Sequence, residues 1–140
     1  MQTRRWVNQS QPQTLQFAVF LLYFEAVIAF IFRQAPDVGL AIIGPNLSKL
    51  DTIDMLNNVG LFLIVIGGAA AGYLISNEKK NGYLLGIAVA GLPLLTRVLI
   101  GLRVELSDMF RDPLGLLFEI ALLALILHTQ SRNYVRIWFK

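Results

Sequence analysis

The dominant pattern in this sequence is a series of long apolar stretches separated by polar segments. Four stretches stand out, at residues 15–32, 59–75, 83–102 and 114–127. A helix that crosses a bilayer needs about 17–25 mostly apolar residues, and the first three stretches have that length. The fourth is shorter, but Asp112 and Pro113 are typical of a helix start and extend it.

This pattern predicts an all-α protein: a four-helix transmembrane bundle that forms one domain over residues 1–140. The expected spans lie at about 15–33, 58–76, 82–103 and 113–130. Glu25 interrupts the first apolar stretch and no small-x-small cleavage pair follows Phe32, which indicates a retained signal-anchor helix.

The longest polar connection, residues 34–58, carries a pattern of its own. Apolar residues recur at every third position from Leu47 to Leu56, with charged residues between them. Ser48 followed by Asp51 resembles a capping box. We therefore expect a short amphipathic interfacial helix in this first outer loop, leading into the second span.

Composition points to a lipid environment. Hydrophobic residues make up 56% of the chain and charged residues 15%, whereas about 25% of residues are charged in an average soluble domain. A chain of 140 residues is too small to bury so much apolar surface within itself. A soluble enzyme and a free nucleic-acid-binding protein are excluded on this basis.

The basic residues are distributed unevenly. The two terminal segments and the second loop hold seven Lys and Arg residues, and the first and third loops hold four. The positive-inside rule then predicts a multi-pass protein of the cell (inner or plasma) membrane with both termini in the cytoplasm. Aromatic and basic residues near the termini are expected at the anionic lipid interface: Arg4, Arg5, Trp6, Arg132, Tyr134, Arg136, Trp138 and Lys140.

Three ionisable residues, Glu25, Arg97 and Glu119, lie inside predicted spans. At 1.5 Å per residue each sits roughly 8–11 Å below the outer boundary of the membrane. Charged groups are costly in hydrocarbon and usually pair, so we expect a charge cluster among the three. Such a cluster would serve as a structural pin, as a proton- or ligand-linked site, or as a charge that awaits a partner subunit.

Small residues indicate where helices approach one another closely. The second span contains a GxxxG pair, and the third carries small residues on the stripe that includes Arg97. The expected packing positions are Gly68, Gly72, Gly86, Ala90 and Gly101. The GxxxG pair is at least as suited to packing within the chain as to dimerisation.

Catalytic signatures are missing from the sequence. It has no cysteine, no HExxH, no G-x-S-x-G and no phosphate-binding glycine loop. We expect no enzymatic activity, no cofactor and no metal site.

The C-terminal stretch LLFEIALLALILHTQSRNYVRIWFK resembles the small four-span integral membrane proteins found widely in bacteria, which have no assigned activity. The chain is also weakly similar to small multidrug transporters, which have four short helices and a glutamate in the first, matched here by Glu25. It departs from them in its longer outer loops, in Arg97 and Glu119, and in lacking the glycine pattern of their fourth helix.

The leading functional hypothesis is a non-catalytic accessory or scaffold subunit of a larger membrane assembly. Its partner would be another membrane protein or a second copy of this chain, and not a nucleic acid. One alternative is a small oligomeric proton- or cation-coupled transporter that uses Glu25 or Glu119. Another is a lipid-binding membrane organiser that acts through the basic, aromatic C-terminal segment.

Overall fold

A computed structural model describes residues 4–34 and 36–140, and it contains helices but no strand in those ranges. The helices are α1 (Gln13–Phe32), α2 (Val38–Ile43), α3 (Leu50–Ser76), α4 (Lys80–Arg103), α5 (Pro113–Leu127) and α6 (Thr129–Trp138). Short 3-10 segments precede α3 at Leu47–Lys49 and separate α4 from α5 at Leu106–Phe110.

Helices α1, α3 and α4 are each long and apolar enough to cross a membrane. Helices α5 and α6 pass the same test only together, and a bend of 45° separates them. The bend lies at His128, whose backbone is extended (φ −57°, ψ 146°), so α5 ends at Leu127, before the predicted limit of residue 130. The all-helical prediction is confirmed, and the apolar helices are consistent with a membrane protein.

The long helices pack side by side, α1 on α3, α3 on α4, α4 on α5 and α5 on α1. The side chains between them include Leu15, Leu22, Ile75, Leu122 and Ile126, which are completely buried. Among the described residues, 30 large apolar side chains are exposed, most of them on the outward faces of the long helices. An apolar exterior of this extent suits lipid as the surrounding solvent.

The start of α3 differs from the expectation for the first outer loop. The interfacial helix predicted around residues 47–56 is not a separate element, because Leu50–Leu56 forms the first two turns of α3. No proline or glycine occurs in α3 before Gly60, so a helix begun at Leu50 propagates without a break. Asn46 caps the 3-10 segment Leu47–Lys49, where its side chain accepts a hydrogen bond from the Ser48 amide. The N-cap position of α3 is Lys49 and not the predicted Ser48, and no side chain caps it.

The short helix in this loop is instead α2, which folds back onto α3. The Gly39 amide donates to Asn57 Oδ1 at 2.9 Å, and an Arg103 guanidinium nitrogen donates to the Ile42 carbonyl at 2.6 Å. A Cβ atom at Gly39 would lie 2.6 Å from the Ile53 Cα atom. Glycine at this position therefore allows α2 to rest directly on the α3 backbone.

The first small-residue pair packs within the chain. A Cβ atom at Gly68 would lie 3.1 Å from the Leu22 carbonyl oxygen, and one at Gly72 would overlap the Tyr23 ring. Both contacts are to α1, so the GxxxG pair joins α3 to α1.

The small residues of α4 face two different neighbours. Gly86 lies against Ile75 of α3, Ala90 is buried, and Gly101 lies against Met109 in the 3-10 segment before α5. The tightest approach is at Gly82, where a Cβ atom would overlap Leu74 across the α3–α4 turn. Sequence analysis did not single out this residue.

The two terminal segments meet the α3–α4 connection at one end of the helices. The Asn77 side chain donates to the Arg5 carbonyl at 2.7 Å and accepts from the Arg5 amide at 3.0 Å. The Lys140 amide donates to the Glu78 carbonyl at 3.1 Å, and the Lys80 amide donates to the Lys140 carbonyl at 2.9 Å. The segments that carry seven of the basic residues therefore lie together.

Candidate functional site

Arg97 on α4 and Glu119 on α5 form an ion pair in the half of the molecule away from the termini. Arg97 Nε lies 2.6 Å from Glu119 Oε2, and Nη2 lies 3.3 Å from Oε1. Each side chain is 15% exposed. The remaining nitrogen, Nη1, donates to the Arg111 carbonyl oxygen. A Cβ atom at Gly115 would lie 3.2 Å from Nη2, so glycine there leaves room for the guanidinium.

Glu25 on α1 does not join this pair, contrary to the predicted three-residue cluster. Its Oε2 atom is buried and has no hydrogen-bond partner within residues 4–34 and 36–140. The reason is the direction of the Arg97 guanidinium, whose three hydrogen bonds go to Glu119 and to the Arg111 carbonyl. Both partners lie on α5 or just before it, whereas Glu25 lies on α1.

All three ionisable residues nevertheless border the same cavity, of about 610 Å³. Its apolar wall includes Phe24, Ile28 and Phe118. Its charged lining consists of Glu25, Arg33, Asp37, Arg97, Asp108, Arg111, Asp112 and Glu119. Five carboxylates face three guanidinium groups, so the lining carries a net charge of −2 when every group is ionised.

The cavity occupies one half of the helical assembly. Exposed residues at the first and third loops, among them Arg33 and Arg111, line it. The core residues Leu22, Ile75 and Leu122 are completely buried and do not line it. The cavity therefore lies on the side of the first and third loops, and its lining does not include these core residues.

Asp112 and Pro113 start α5 as the sequence predicted. The Asp112 carboxylate accepts a hydrogen bond from the Gly115 amide at 3.2 Å, and Pro113 is the first helical residue. Proline has no amide hydrogen, but the first residue of a helix has no intrahelical acceptor for one, so no hydrogen bond is lost there. This start brings Glu119 to the level of Arg97.

A second polar cluster, which sequence analysis did not predict, lies at the terminal end around Glu78. Glu78 Oε1 accepts from the Tyr134 hydroxyl at 2.7 Å and from Asn8 Nδ2 at 3.4 Å. Glu78 lies in the connection between α3 and α4, and its backbone has a positive φ of 59°. The sequence carries one signal for this cluster: Glu78 is the only acidic residue in the segments that hold the seven basic residues.

The proposed lipid-interface residues divide into two groups. Tyr134 is half-buried, because its hydroxyl is used by Glu78 and its ring stacks on Trp138. The others are exposed: Arg4, Arg5, Trp6, Arg132, Arg136, Trp138 and Lys140. The C-terminal segment is helical here, and α6 buries Ser131 and Val135. His128 is the cap of α6, and its Nδ1 accepts from the Gln130 amide at 3.2 Å.

No protein-family model matches the sequence, and neither a curated protein nor a solved structure matches it. Among the described residues, no group of three or more His, Asp and Glu side chains is placed to hold a metal ion.

Proposed function

We propose that this chain is a non-catalytic integral membrane subunit, an accessory or scaffold component of a larger assembly. The observation that carries the proposal is an exposed stripe on α1 that is rich in aromatic residues. It consists of Phe17, Phe20, Phe24, Val27 and Ile31, all at least 47% exposed. At about 100° per residue these positions fall within about 80° of the helix surface.

The stripe has the character of a helix-packing surface. Its spacing alternates between three and four residues, which is the pattern of side chains that interlock with a partner helix. Lipid tails require only an apolar face, whereas protein interfaces are enriched in aromatic residues. Five of the nine phenylalanines of the chain lie on α1. This concentration favours a protein partner, either another membrane protein or a second copy.

The proposed arrangement is a four-helix transmembrane bundle, with α1, α3 and α4 as spans and a fourth, bent span at about residues 113–130, formed by α5 and the first residues of α6. We place both termini in the cytoplasm and the chain in the bacterial inner or plasma membrane. The supporting observation is that both terminal segments contact the α3–α4 connection, so that seven basic residues share one end. That end would face the anionic lipids of the cytoplasmic leaflet.

Gentle-detergent purification from the native membrane, followed by mass spectrometry and chemical cross-linking, tests the subunit proposal. We expect the wild-type chain to copurify with one partner at fixed stoichiometry, or to cross-link as a defined oligomer. Combined replacement of Phe17, Phe20 and Phe24 by leucine should abolish that association and keep the surface apolar.

The matched control is Phe62→Leu, because Phe62 is 63% exposed on α3 and lies outside the stripe. It should retain the partner. A wild-type chain that is always monomeric, or a triple variant that keeps its partner, would contradict the proposal.

The transporter alternative receives less support from the geometry. A transporter needs a route to both sides of the membrane, whereas the lining of the cavity does not extend to the buried residues Leu22, Ile75 and Leu122. In this conformation the cavity is better suited to binding a molecule from one side of the membrane than to passing it across. The lipid-organiser alternative rests on the exposed basic residues of α6, which fit an anionic membrane surface as an anchor.

A further inference from the structure

A groove lies between the start of α1 and one face of α6, at the end of the molecule that carries the termini. Pro12 and Gln13 form one side of it, and residues of α6 between Gln130 and Trp138 form the other. Its volume is about 560 Å³, inside the range of about 300–1,000 Å³ that is usual for small-molecule sites. Because α1 begins at Gln13 and α5 ends at Leu127, the groove lies just beyond the apolar parts of both helices.

Two hydrogen bonds hold the walls of this groove in place. The Thr14 and Ser131 hydroxyl oxygens lie 2.8 Å apart and join α1 to α6. The Tyr134 hydroxyl donates to Glu78 Oε1 at 2.7 Å and ties α6 to the α3–α4 connection. The groove is therefore formed before a ligand arrives, which lowers the ordering cost of binding.

The polar part of the lining consists of primary amides. Gln13, Gln130 and Asn133 all line the groove and are all exposed. Each amide offers two N–H donors, which suit the unesterified oxygens of a phosphodiester. Among the described residues, no carboxylate lines the groove that would bind a cation in its place.

The charge beside the groove favours an anion. Arg136 follows Asn133 by three residues on α6, so the two side chains are neighbours on the helix surface. Arg136 is exposed. The ion pairs within residues 4–34 and 36–140 are those of Arg97 and Arg111, so the Arg136 guanidinium has no carboxylate partner there.

The apolar part of the lining distinguishes a lipid from a free anion. Ile137 and Trp138 are 71% and 57% exposed and lie on the α6 side of the groove. Tryptophan at the end of a membrane helix lies where headgroups meet acyl chains. A free phosphodiester would leave these two side chains uncovered, whereas a phospholipid covers them and meets the amides as well.

We propose that the groove binds one anionic glycerophospholipid. Its phosphodiester accepts hydrogen bonds from the Gln130 and Asn133 amides, and Arg136 balances its charge. The first carbons of its acyl chains lie along Ile137 and Trp138. The site rests on the proposed membrane location, but it needs no protein partner on the α1 stripe.

Fluorescence quenching of Trp138 tests the site, because the chain has two tryptophans and Trp6→Phe leaves Trp138 alone. The full-length protein is placed in phosphatidylcholine nanodiscs and titrated with a brominated lipid, whose bromine atoms quench tryptophan on contact. Brominated phosphatidylglycerol should bind at least about five-fold more tightly than brominated phosphatidylcholine, since one basic residue beside an anionic headgroup contributes about that factor.

Gln130→Leu combined with Asn133→Leu should abolish this preference, because it removes the donors to the phosphodiester. The matched control is Asn81→Leu, which removes an exposed amide that does not line the groove and should keep the preference. Asn133→Asp has nearly the shape of asparagine and repels the phosphodiester. It should also abolish the preference, and it carries the test if the double variant does not fold.

A second pair of variants separates this site from the general charge of the basic end. Arg136→Gln should lower the preference about five-fold. Lys79→Gln removes the same charge from an exposed position in the α3–α4 connection and should leave the preference nearly unchanged.

Equal affinity for the two brominated lipids, or an unchanged preference in Asn133→Asp, would overturn the site. Equal losses in Arg136→Gln and Lys79→Gln would also overturn it, because the preference would then belong to the whole basic surface. Equally strong binding of soluble glycerophosphoglycerol would assign the groove to a free phosphodiester and not to a lipid. Failure to enter nanodiscs would contradict the membrane location as well, whereas an inserted protein without a preference would contradict the site alone.

Discussion

Arg97 and Glu119 join α4 to α5 through two contacts between guanidinium and carboxylate, at 2.6 and 3.3 Å. The same guanidinium also holds the Arg111 carbonyl, in the segment that connects the two helices. One side chain therefore fixes α4, the end of the third loop and the first turns of α5 relative to one another. This arrangement sets the wall of the cavity opposite Glu25.

Arg97→Leu should destabilise the protein by about 3–5 kcal/mol, because it leaves the Glu119 carboxylate with no cation in a mostly buried position. The free energy of unfolding in mixed detergent micelles measures the effect, together with the yield of folded protein in membranes. Adding Glu119→Gln should restore part of the loss, since the unpaired charge is then removed.

The comparison variant is Arg111→Gln, which removes the ion pair to Asp108. The Arg111 side chain is 72% exposed, and exposed pairs contribute about 0–1 kcal/mol. If Arg97→Leu and Arg111→Gln have the same small effect, the Arg97–Glu119 pair does not hold these helices together.

Unlike Arg97→Leu, Glu25→Gln should leave the free energy of unfolding unchanged or should increase it. The Glu25 carboxylate has a buried oxygen without a donor in the described structure, so the neutral amide removes a buried charge and breaks no ion pair. Thermal unfolding of the purified protein without ligand measures this. A destabilisation as large as that of Glu119→Gln would show that Glu25 has a cation partner after all.

The sequence predicted the long helices and indicated that the three charged residues lie near one level, but not how those residues pair. Apolar stretches of membrane length are a local signal, and they place Glu25, Arg97 and Glu119 near one level. Pairing depends on which helices are neighbours and on the direction of each side chain, and those are properties of the packed chain. Arg97 therefore has one carboxylate partner and not two.

Two other features illustrate the same limit. The pattern of Leu47–Leu56 predicted a helix correctly, but periodicity does not say where a helix stops, and α3 continues through the segment. The cluster at Glu78 joins residues 70 and 56 positions apart in sequence, and no local pattern reports such contacts.

Gly82→Ala should destabilise the α3–α4 turn by about 1–3 kcal/mol, the usual effect of adding a methyl group to a filled space. A Cβ atom there would lie 2.9 Å from the Ile75 amide nitrogen and would overlap Leu74, so helix backbone must move. Gly91→Ala on the same helix is the matched control, because its Cβ meets nothing within 4 Å. Alanine should stabilise that position by roughly 0.5–1 kcal/mol.

Thermal unfolding of the two variants gives the comparison directly. The two substitutions should change the free energy of unfolding in opposite directions. A Gly82→Ala variant as stable as Gly91→Ala would mean that the turn does not approach α3 as closely as the structure describes.

The proposed orientation predicts which introduced thiols react from outside the cell. The chain has no cysteine, so a single substitution gives an unambiguous signal. Ser107→Cys lies in the third loop and Asn81→Cys at the start of α4, and both positions are exposed. A membrane-impermeant maleimide added to intact cells should label Ser107→Cys only, and both variants should react after lysis. Labelling of Asn81→Cys alone in intact cells would invert the orientation, because the basic end would then face outward.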